Sequence, residues 1–454
     1  MRRFANFSWA DGSARVTVGP MSERQRDAGL LRAVGPWPLA ASIISMVVGA
    51  GIFAVPAPLA ASVGAFAPLA FLACGIGIGS VAICFAEGGS RIPTSGGIYG
   101  YIEAAFGPLS GYVAGTLLWV CCVLASGGVA AALADIAASL FPQSLATPVR
   151  ALVIVGLVGG IALVNIGGVA RGARLVNATT TLKLIPLVIF IVVGAGAVHR
   201  ANFAQSIQPA SEGLGRAVIL AMFAFIGMEA SLCASGEVTQ PNRTIPRALA
   251  IAMLSVTFLY VAIQIIAQGI LGDSLTHSTV PLADAMGRIH PALRVVMLAG
   301  AALSMFGWMG SDLFGSPRQL FAFGRDGMLP RALGRLHPRS RAPYVAILSY
   351  ATIASVLALS GTFAELAVLA TLACAPLYIG GCAAAWVLAR RGVALAGPPL
   401  EFRFLGTATL LGIGSMAALV ALASRQEIIG LATLIGLSIL VYLLVQARSA
   451  LARG

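Results

Sequence analysis

The stretch Val47-Val48-Gly49-Ala50-Gly51-Ile52-Phe53-Ala54-Val55-Pro56-Ala57-Pro58 interrupts the first apolar segment, and Phe223-Ala224-Phe225-Ile226-Gly227-Met228-Glu229-Ala230-Ser231 interrupts a later one at a matching place. A membrane helix normally keeps its backbone bonded within itself, because lipid offers no partners. Unwinding at mid-depth therefore survives only where the chain lines a protein cavity. Paired breaks in two halves of a membrane chain point to a transporter binding site. The segments after the two breaks recur roughly 180 residues apart, as an inverted repeat of five helices plus five requires.

Composition agrees with that reading. Hydrophobic residues make up 58% of the 454 residues and charged residues 10%. Mean hydropathy is +0.92. A soluble domain carries about 25% charged residues, so a soluble enzyme is excluded and a polytopic, all-α membrane protein is expected. The apolar blocks are roughly 20 residues long, which is what a bilayer core asks of a helix. Twelve spans are read at about 37–60, 65–87, 108–138, 148–168, 179–198, 215–235, 248–271, 292–318, 344–360, 363–389, 403–424 and 427–447.

The net charge of +13 would fit a nucleic-acid partner, but its placement does not. With the N-terminus inside, 23 of the 29 Lys and Arg fall on cytoplasmic segments, leaving Arg150, Arg200, Arg216, Arg288, Arg294 and Arg425 outside. This is the positive-inside bias of a multi-pass protein of the inner, cytoplasmic membrane with both termini in the cytoplasm. The expected partners are membrane lipid and a small-molecule substrate, with no nucleic acid.

The organisation expected is a cytoplasmic tail (1–36), a first repeat (37–198, spans one to five), a second repeat (199–389, spans six to ten), two appended spans (390–447) and a short cytoplasmic tail (448–454). The appended pair has no counterpart in the repeat, so it packs on the core or makes a homodimer. The first 36 residues are polar and lack an apolar core, as in a flexible tail rather than a cleaved signal. Glu87–Tyr101, Glu237–Arg247 and Arg318–Pro343 read as cytoplasmic connections, either anchoring loops or gates. Val280–His290 reads as a short helical piece able to lid an outer vestibule.

All seven cysteines fall within spans, without disulfide or zinc spacing, and read as small packing residues. The four histidines fall in loops and form no cluster. No metal and no cofactor is expected, and no P-loop is present.

Chemistry concentrates at the breaks. Gly49 and Gly51 let the backbone leave helical geometry, and the half-helix restarting beyond Ile52 points its free amides and positive dipole end into the gap, where an anion binds readily. The bland alternative, small residues that only let helices approach closely, is opposed by Pro56 and Pro58. Glu229 is a carboxylate at mid-membrane, costing roughly 2.5–3.5 kcal/mol on insertion scales, and is functional or paired by default. Desolvation favours the neutral form of an isolated carboxylate, which suits a group protonated in one stage of a cycle and charged in another.

Lys183 is the one lysine beside 28 arginines, at Thr181-Leu182-Lys183-Leu184-Ile185-Pro186. A desolvated Lys can lose its proton and Arg cannot, while snorkelling to the interface is the competing role. Glu87, Asp135, Asp312 and Glu365 are expected to order loops or cap helices. Phe53, Phe223, Trp308 and Tyr378 read as core packing or gate aromatics.

These motifs resemble one family. Val48-Gly49-Ala50-Gly51-Ile52-Phe53, the Pro93-Thr94-Ser95-Gly96-Gly97-Ile98-Tyr99 turn, Phe225-Ile226-Gly227-Met228-Glu229 with Gly236-Glu237-Val238 and Ile245-Pro246-Arg247, and Arg325-Asp326-Gly327-Met328-Leu329-Pro330 are similar to those of the amino acid–polyamine–organocation transporters. The likeness is greatest to the basic amino acid and polyamine antiporter branch. It implies a five-plus-five inverted-repeat fold with discontinuous first and sixth helices and two extra helices. It also implies that the substrate carboxylate meets the amides of Ala50 and Gly51 and the amino group the carbonyls of Val47, Phe223 and Ile226.

By the same resemblance, Trp308, after Gly307, matches an aromatic middle gate. Glu229 matches an acidic, proton-sensing gate, and Tyr378, from its place on a facing span, is expected to take part in proton coupling or gating. Lys183 matches a fifth-helix lysine standing in the place of a sodium ion. Ser126 stands where the branch has a side-chain-binding Asn and Phe223 where it has Trp, and a cation is held less well over Phe than over Trp. The function implied is secondary transport of amino acids or related amines by alternating access, as an antiporter or a proton symporter. A non-transporting membrane sensor of the same fold and a channel are the other classes. Paired breaks favour an occluded site over the continuous pore of a channel.

Overall fold

The computed structural model describes residues 33–93, 97–138, 141–168, 182–203, 211–233, 235–325, 327–395 and 398–451. Residues 1–32 of the N-terminal tail, Thr94–Gly96 of the turn, Arg171 and Arg174, Asp326 and the last three residues lie outside it.

The described residues are almost wholly helical, with one isolated bridge between Val34 and Val238. In chain order the helices are α1 (Pro36–Val47), α2 (Gly51–Ala54), α3 (Pro56–Val63), α4 (Ala67–Arg91), α5 (Ile98–Phe106), α6 (Pro108–Ala138), α7 (Gln143–Ile166), α8 (Ile185–Gly194), α9 (Ser211–Phe223) and α10 (Met228–Leu232). They continue with α11 (Pro241–Leu271), α12 (Pro281–Ile289), α13 (Pro291–Gly315), α14 (Pro317–Arg325), α15 (Tyr344–Ser360), α16 (Phe363–Arg390), α17 (Leu405–Ala421) and α18 (Arg425–Leu451). Among the described residues, eight stretches are long and apolar enough to cross a membrane, and four shorter apolar helices accompany them: Pro36–Val47, Ile185–Ala197, Tyr344–Ser360 and Leu405–Ala421.

Both sequence breaks are breaks in the helices. α1 stops at Val47, where the extended Val48 donates its amide to the Ile44 carbonyl at 2.8 Å, and helix resumes at Gly51. The joint between α2 and α3, Val55, is itself helical, so Pro56 follows in line and costs the resumed helix only the one bond its missing N–H would have made to Ile52. α9 stops at Phe223, and α10 begins after Gly227, whose φ of 135° only glycine adopts freely.

Three boundaries differ from expectation: α4 continues to Arg91 within the Glu87–Tyr101 connection, α14 occupies the start of the Arg318–Pro343 connection, and the third is the start of α11. Glu237–Arg247 was expected as a loop held by two prolines, yet α11 begins at Pro241 and runs through Pro246. Pro241 stands in the first turn, where the amides need no helical acceptor, and Pro246 is one turn further in, so little of the ladder is lost.

The long α6 and α16 pack along each other at the centre, and α4 packs along α11 beside α1. The segment before α1 is tied to the segment after α10: Val34 donates to the Glu237 carbonyl (3.0 Å) and accepts from the Thr239 amide (2.9 Å). α18 lies at the periphery, with Leu437, Leu440, Leu443 and Leu444 each about half exposed. Such an apolar face suits lipid contact.

Of the lesser acids, Glu87 forms a buried pair with Arg91 (2.6 Å) and accepts from the Phe402 amide (3.3 Å), ordering the segment after α16. Glu365 completes a capping box with Thr362 at the start of α16. Asp135 pairs with Arg150 at 2.7 Å.

Candidate functional site

The two unwound segments lie against each other, because small residues leave room for nothing else. A Cβ on Gly227 would sit 2.5 Å from the Met46 carbonyl oxygen, and one on Gly51 would sit 2.8 Å from the Ala224 Cα. The Tyr260 hydroxyl lies 2.8 Å from the Ala224 carbonyl and 3.1 Å from the Val47 carbonyl, sharing its proton between the two breaks. Trp308 of α13 donates from Nε1 to the Met46 carbonyl (2.8 Å), and its ring covers Gly49. Each breach in the ladder is thus partly satisfied by a side chain from a neighbouring helix, as backbone at membrane depth demands.

Where the breaks meet there is a cavity of about 30 Å³, room for one or two waters. Of the residues singled out in the sequence, Val47, Gly49, Ala50, Gly51, Phe223, Ile226, Glu229 and Trp308 line it. Cys121, Cys122, Ala125, Val129 and Asp312 complete much of the wall. Glu229 is 2% exposed; its Oε2 accepts from the Tyr378 hydroxyl at 2.5 Å and from the Gly227 amide at 3.0 Å. It therefore caps the second half-helix while facing the cavity.

Four of the singled-out residues stand behind this wall. Ile52, within α2, is fully buried and does not line the cavity. Tyr378 reaches the cavity only through Glu229. Lys183, also fully buried, donates from Nζ to the Ser45 carbonyl in the last turn of α1, behind the first break. A side chain so placed does not snorkel. Ser126 does not line the cavity; its hydroxyl donates to Asp312 Oδ2 at 2.6 Å, so any contribution to the site passes through that carboxylate.

A second, larger cavity of about 370 Å³ lies on the side where α6 ends, lined by Phe53, Asp135, Leu282 and Ala283 of α12, Met297 and Phe363. The rings of Phe223 and Phe363 pack edge to face at 5.7 Å and stand between the two spaces.

Two features escaped the sequence reading. Asp312, expected to order a loop or cap a helix, is a wall of the small cavity, and it lies one turn after Trp308 on the same helical face. That four-residue spacing was the available signal. Secondly, Cys121 of α6, Cys374 of α16 and Glu229 bring their ligand atoms within 4.8 Å of one another. The two cysteines lie about 250 residues apart in the chain, so no local spacing announces the group.

A helical membrane protein with two facing interrupted helices, closed around a small, largely apolar cavity that also holds two carboxylates at their junction, has the architecture of a discontinuous-helix transporter fold. The family model for amino acid permeases matches residues 34–445, and the chain belongs to that family. It is 27% identical to the branched-chain amino acid permease BcaP of Bacillus subtilis (strain 168), over 73% of this chain and 75% of the relative. It is also 27% identical to the methylthioribose transporter of the same strain, over 71% and 74%. To an uncharacterized transporter of Mycobacterium tuberculosis (strain ATCC 25618 / H37Rv) it is 31% identical, over 64% of this chain and 66%, just under two thirds, of that protein. The family and these relatives are named for transport, and none of them for an enzymatic activity. Neither of the two named Bacillus relatives is a basic amino acid or polyamine antiporter by name.

Proposed function

We propose that this protein is a secondary transporter that carries amino acids across the cytoplasmic membrane by alternating access around the junction of its two broken helices. The observation that carries the reading is the convergence of both breaks on one buried cavity. In this reading the chain makes the twelve spans expected from the sequence, with α1, α2 and α3 together forming the first, both termini in the cytoplasm and spans one to five related to six to ten by inversion.

The carboxylate of the substrate binds at the amides of Ala50 and Gly51, where helix resumes. Phe223 and Trp308 close over the ligand, Glu229 with Tyr378 forms a protonatable gate, and Lys183 holds the end of α1 in the place a sodium ion would take. The small cavity is too tight for an amino acid side chain. The structure therefore corresponds to a closed stage, with the larger space beyond Phe223 and Phe363 as the vestibule from which the ligand enters. Lining by Cys121, Ala125, Val129, Phe223 and Ile226, together with the likeness to a branched-chain amino acid permease, favours apolar side chains over the basic substrates of the antiporter branch.

The test is uptake of a panel of labelled amino acids and amines into proteoliposomes, with and without internal substrate. Accumulation that requires internal substrate marks an exchanger. Accumulation driven by an imposed proton gradient into empty vesicles marks a symporter. No uptake of any panel member under either condition rejects the reading in favour of a sensor.

A further inference from the structure

The function proposed above uses Glu229 but neither of the cysteines beside it. Cys121 of α6, Cys374 of α16 and Glu229 of α10 bring their ligand atoms within 4.8 Å of one another, and they are 2%, 1% and 2% exposed. Both thiols are free. Among the described residues, no other three His, Cys, Asp or Glu side chains gather in this way.

The spacing suits one metal ion. A tetrahedral ion bonded at about 2.3 Å to sulfur and about 2.1 Å to oxygen holds its ligand atoms about 3.6–3.8 Å apart, so the three need close by only about 1 Å or less. Glu229 has an oxygen to give, because Tyr378 and Gly227 both donate to Oε2 and no described residue donates to Oε1. Cys121 and Glu229 also line the small cavity, which has room for a water in the fourth position.

Two sulfurs and one oxygen suit a soft or borderline ion such as Zn²⁺ or Cd²⁺ and do not suit Mg²⁺, Ca²⁺ or Na⁺, which take shells of oxygen. On binding, each thiol gives up its proton to water. Two thiolates then balance a dication, so the bound ion adds no net positive charge at membrane depth. Glu229 caps the half-helix after the second break, while the cysteines stand on the two long helices packed along each other at the centre. An ion bound to all three makes one unit of them.

We propose that Cys121, Cys374 and Glu229 form a site for a thiophilic dication of the Zn²⁺ or Cd²⁺ kind, and that filling it arrests transport by locking α10 to α6 and α16. The arrest rests on the transport reading above; the binding does not.

The probe is Cd²⁺ alone, titrated into the full-length protein purified in detergent with its thiols reduced. Thiolate-to-cadmium charge transfer absorbs in the ultraviolet and counts the sulfurs bound. Wild type should take up one equivalent with the absorbance of two thiolates, unchanged by a large excess of Mg²⁺ or Ca²⁺. Cys121→Ala and Cys374→Ala should each lose this binding. Glu229→Gln should keep the two-thiolate absorbance but bind more weakly by at least the roughly tenfold that loss of a metal's outer partner costs, and it carries the test if an alanine variant does not fold. Cys84→Ala with Cys382→Ala, two buried cysteines outside the group, should bind as wild type does. In proteoliposomes, Cd²⁺ should stop wild-type uptake and spare whatever uptake Cys374→Ala supports.

No one-equivalent binding, the absorbance of a single thiolate, displacement by Mg²⁺, or loss of the signal in the Cys84 and Cys382 variant overturns the site and returns Cys121 and Cys374 to packing. Binding as expected with undiminished uptake overturns the arrest. Binding as expected with no uptake in metal-free vesicles fails the transport reading and leaves the site standing.

Discussion

A single methyl group at Gly51 should separate the two breaks. The Cβ of Gly51→Ala would lie 2.8 Å from Ala224 Cα and 2.9 Å from Ala224 Cβ. Both atoms belong to the other unwound segment, and one is backbone, so no flexible side-chain end can swing aside. Ordinary contact starts at 3.4 Å, so the segments must part by about 0.6 Å. Overpacking of this kind costs about 1–3 kcal/mol.

If the cost falls only on the closed stage in which the breaks touch, substrate affinity drops by about 5- to 150-fold. Gly51→Val, with two further methyls at the same place, should abolish binding while leaving the protein folded. Gly49→Ala is the internal comparison. Its added atom meets the Trp308 ring at 3.1 Å, a contact that the side chain can relieve by a small tilt, so its effect should be weaker. Scintillation proximity binding on the purified variants, with melting temperature as the folding control, measures all three. Wild-type affinity in Gly51→Val would refute the reasoning, and so would a larger loss in Gly49→Ala than in Gly51→Ala.

Three further outcomes are expected. Glu229→Gln removes the ionisable group of the gate while keeping an acceptor for Tyr378, so the pH dependence of proteoliposome uptake should flatten; a profile that overlays wild type rejects the gate role. Lys183→Arg and Lys183→Ala should both lose uptake, because the fully buried ammonium supports the Ser45 carbonyl and a bulkier guanidinium would overpack a buried site, whereas an interfacial anchor would tolerate Arg; wild-type uptake should be unchanged when sodium is replaced by choline. Arg91→Ala strands Glu87, 1% exposed, as an unpaired buried charge. A loss of about 3–5 kcal/mol is expected, read as a lower melting temperature in detergent, and an unchanged melting temperature would show that the pair contributes nothing to the fold.

Much of this architecture was legible in the chain because it is dictated locally. Whether a segment spans a membrane depends on its own run of apolar residues, and whether a helix breaks depends on Gly49, Gly51 and Gly227 themselves. Glu229 was legible for the same reason: a carboxylate inside an interrupted apolar run is costly wherever its neighbours fall. What the tertiary structure alone decided is which distant groups share the cavity. Asp312 read as a helix-end acid until α6 and α15 brought Ser126 and Tyr350 to it.

Ser126 read as a wall residue until the same bond turned it toward Asp312 instead. Cys121 and Cys374 are unremarkable small residues on their own helices and meet Glu229 only because α6 packs along α16. Lys183 could have snorkelled, and only the packing of its segment against the end of α1 buries it. The physical reason is common to all four. Hydropathy and backbone conformation are properties of a residue and its chain neighbours, whereas the partner of a buried polar group is fixed by which helices pack together, and no local pattern records that.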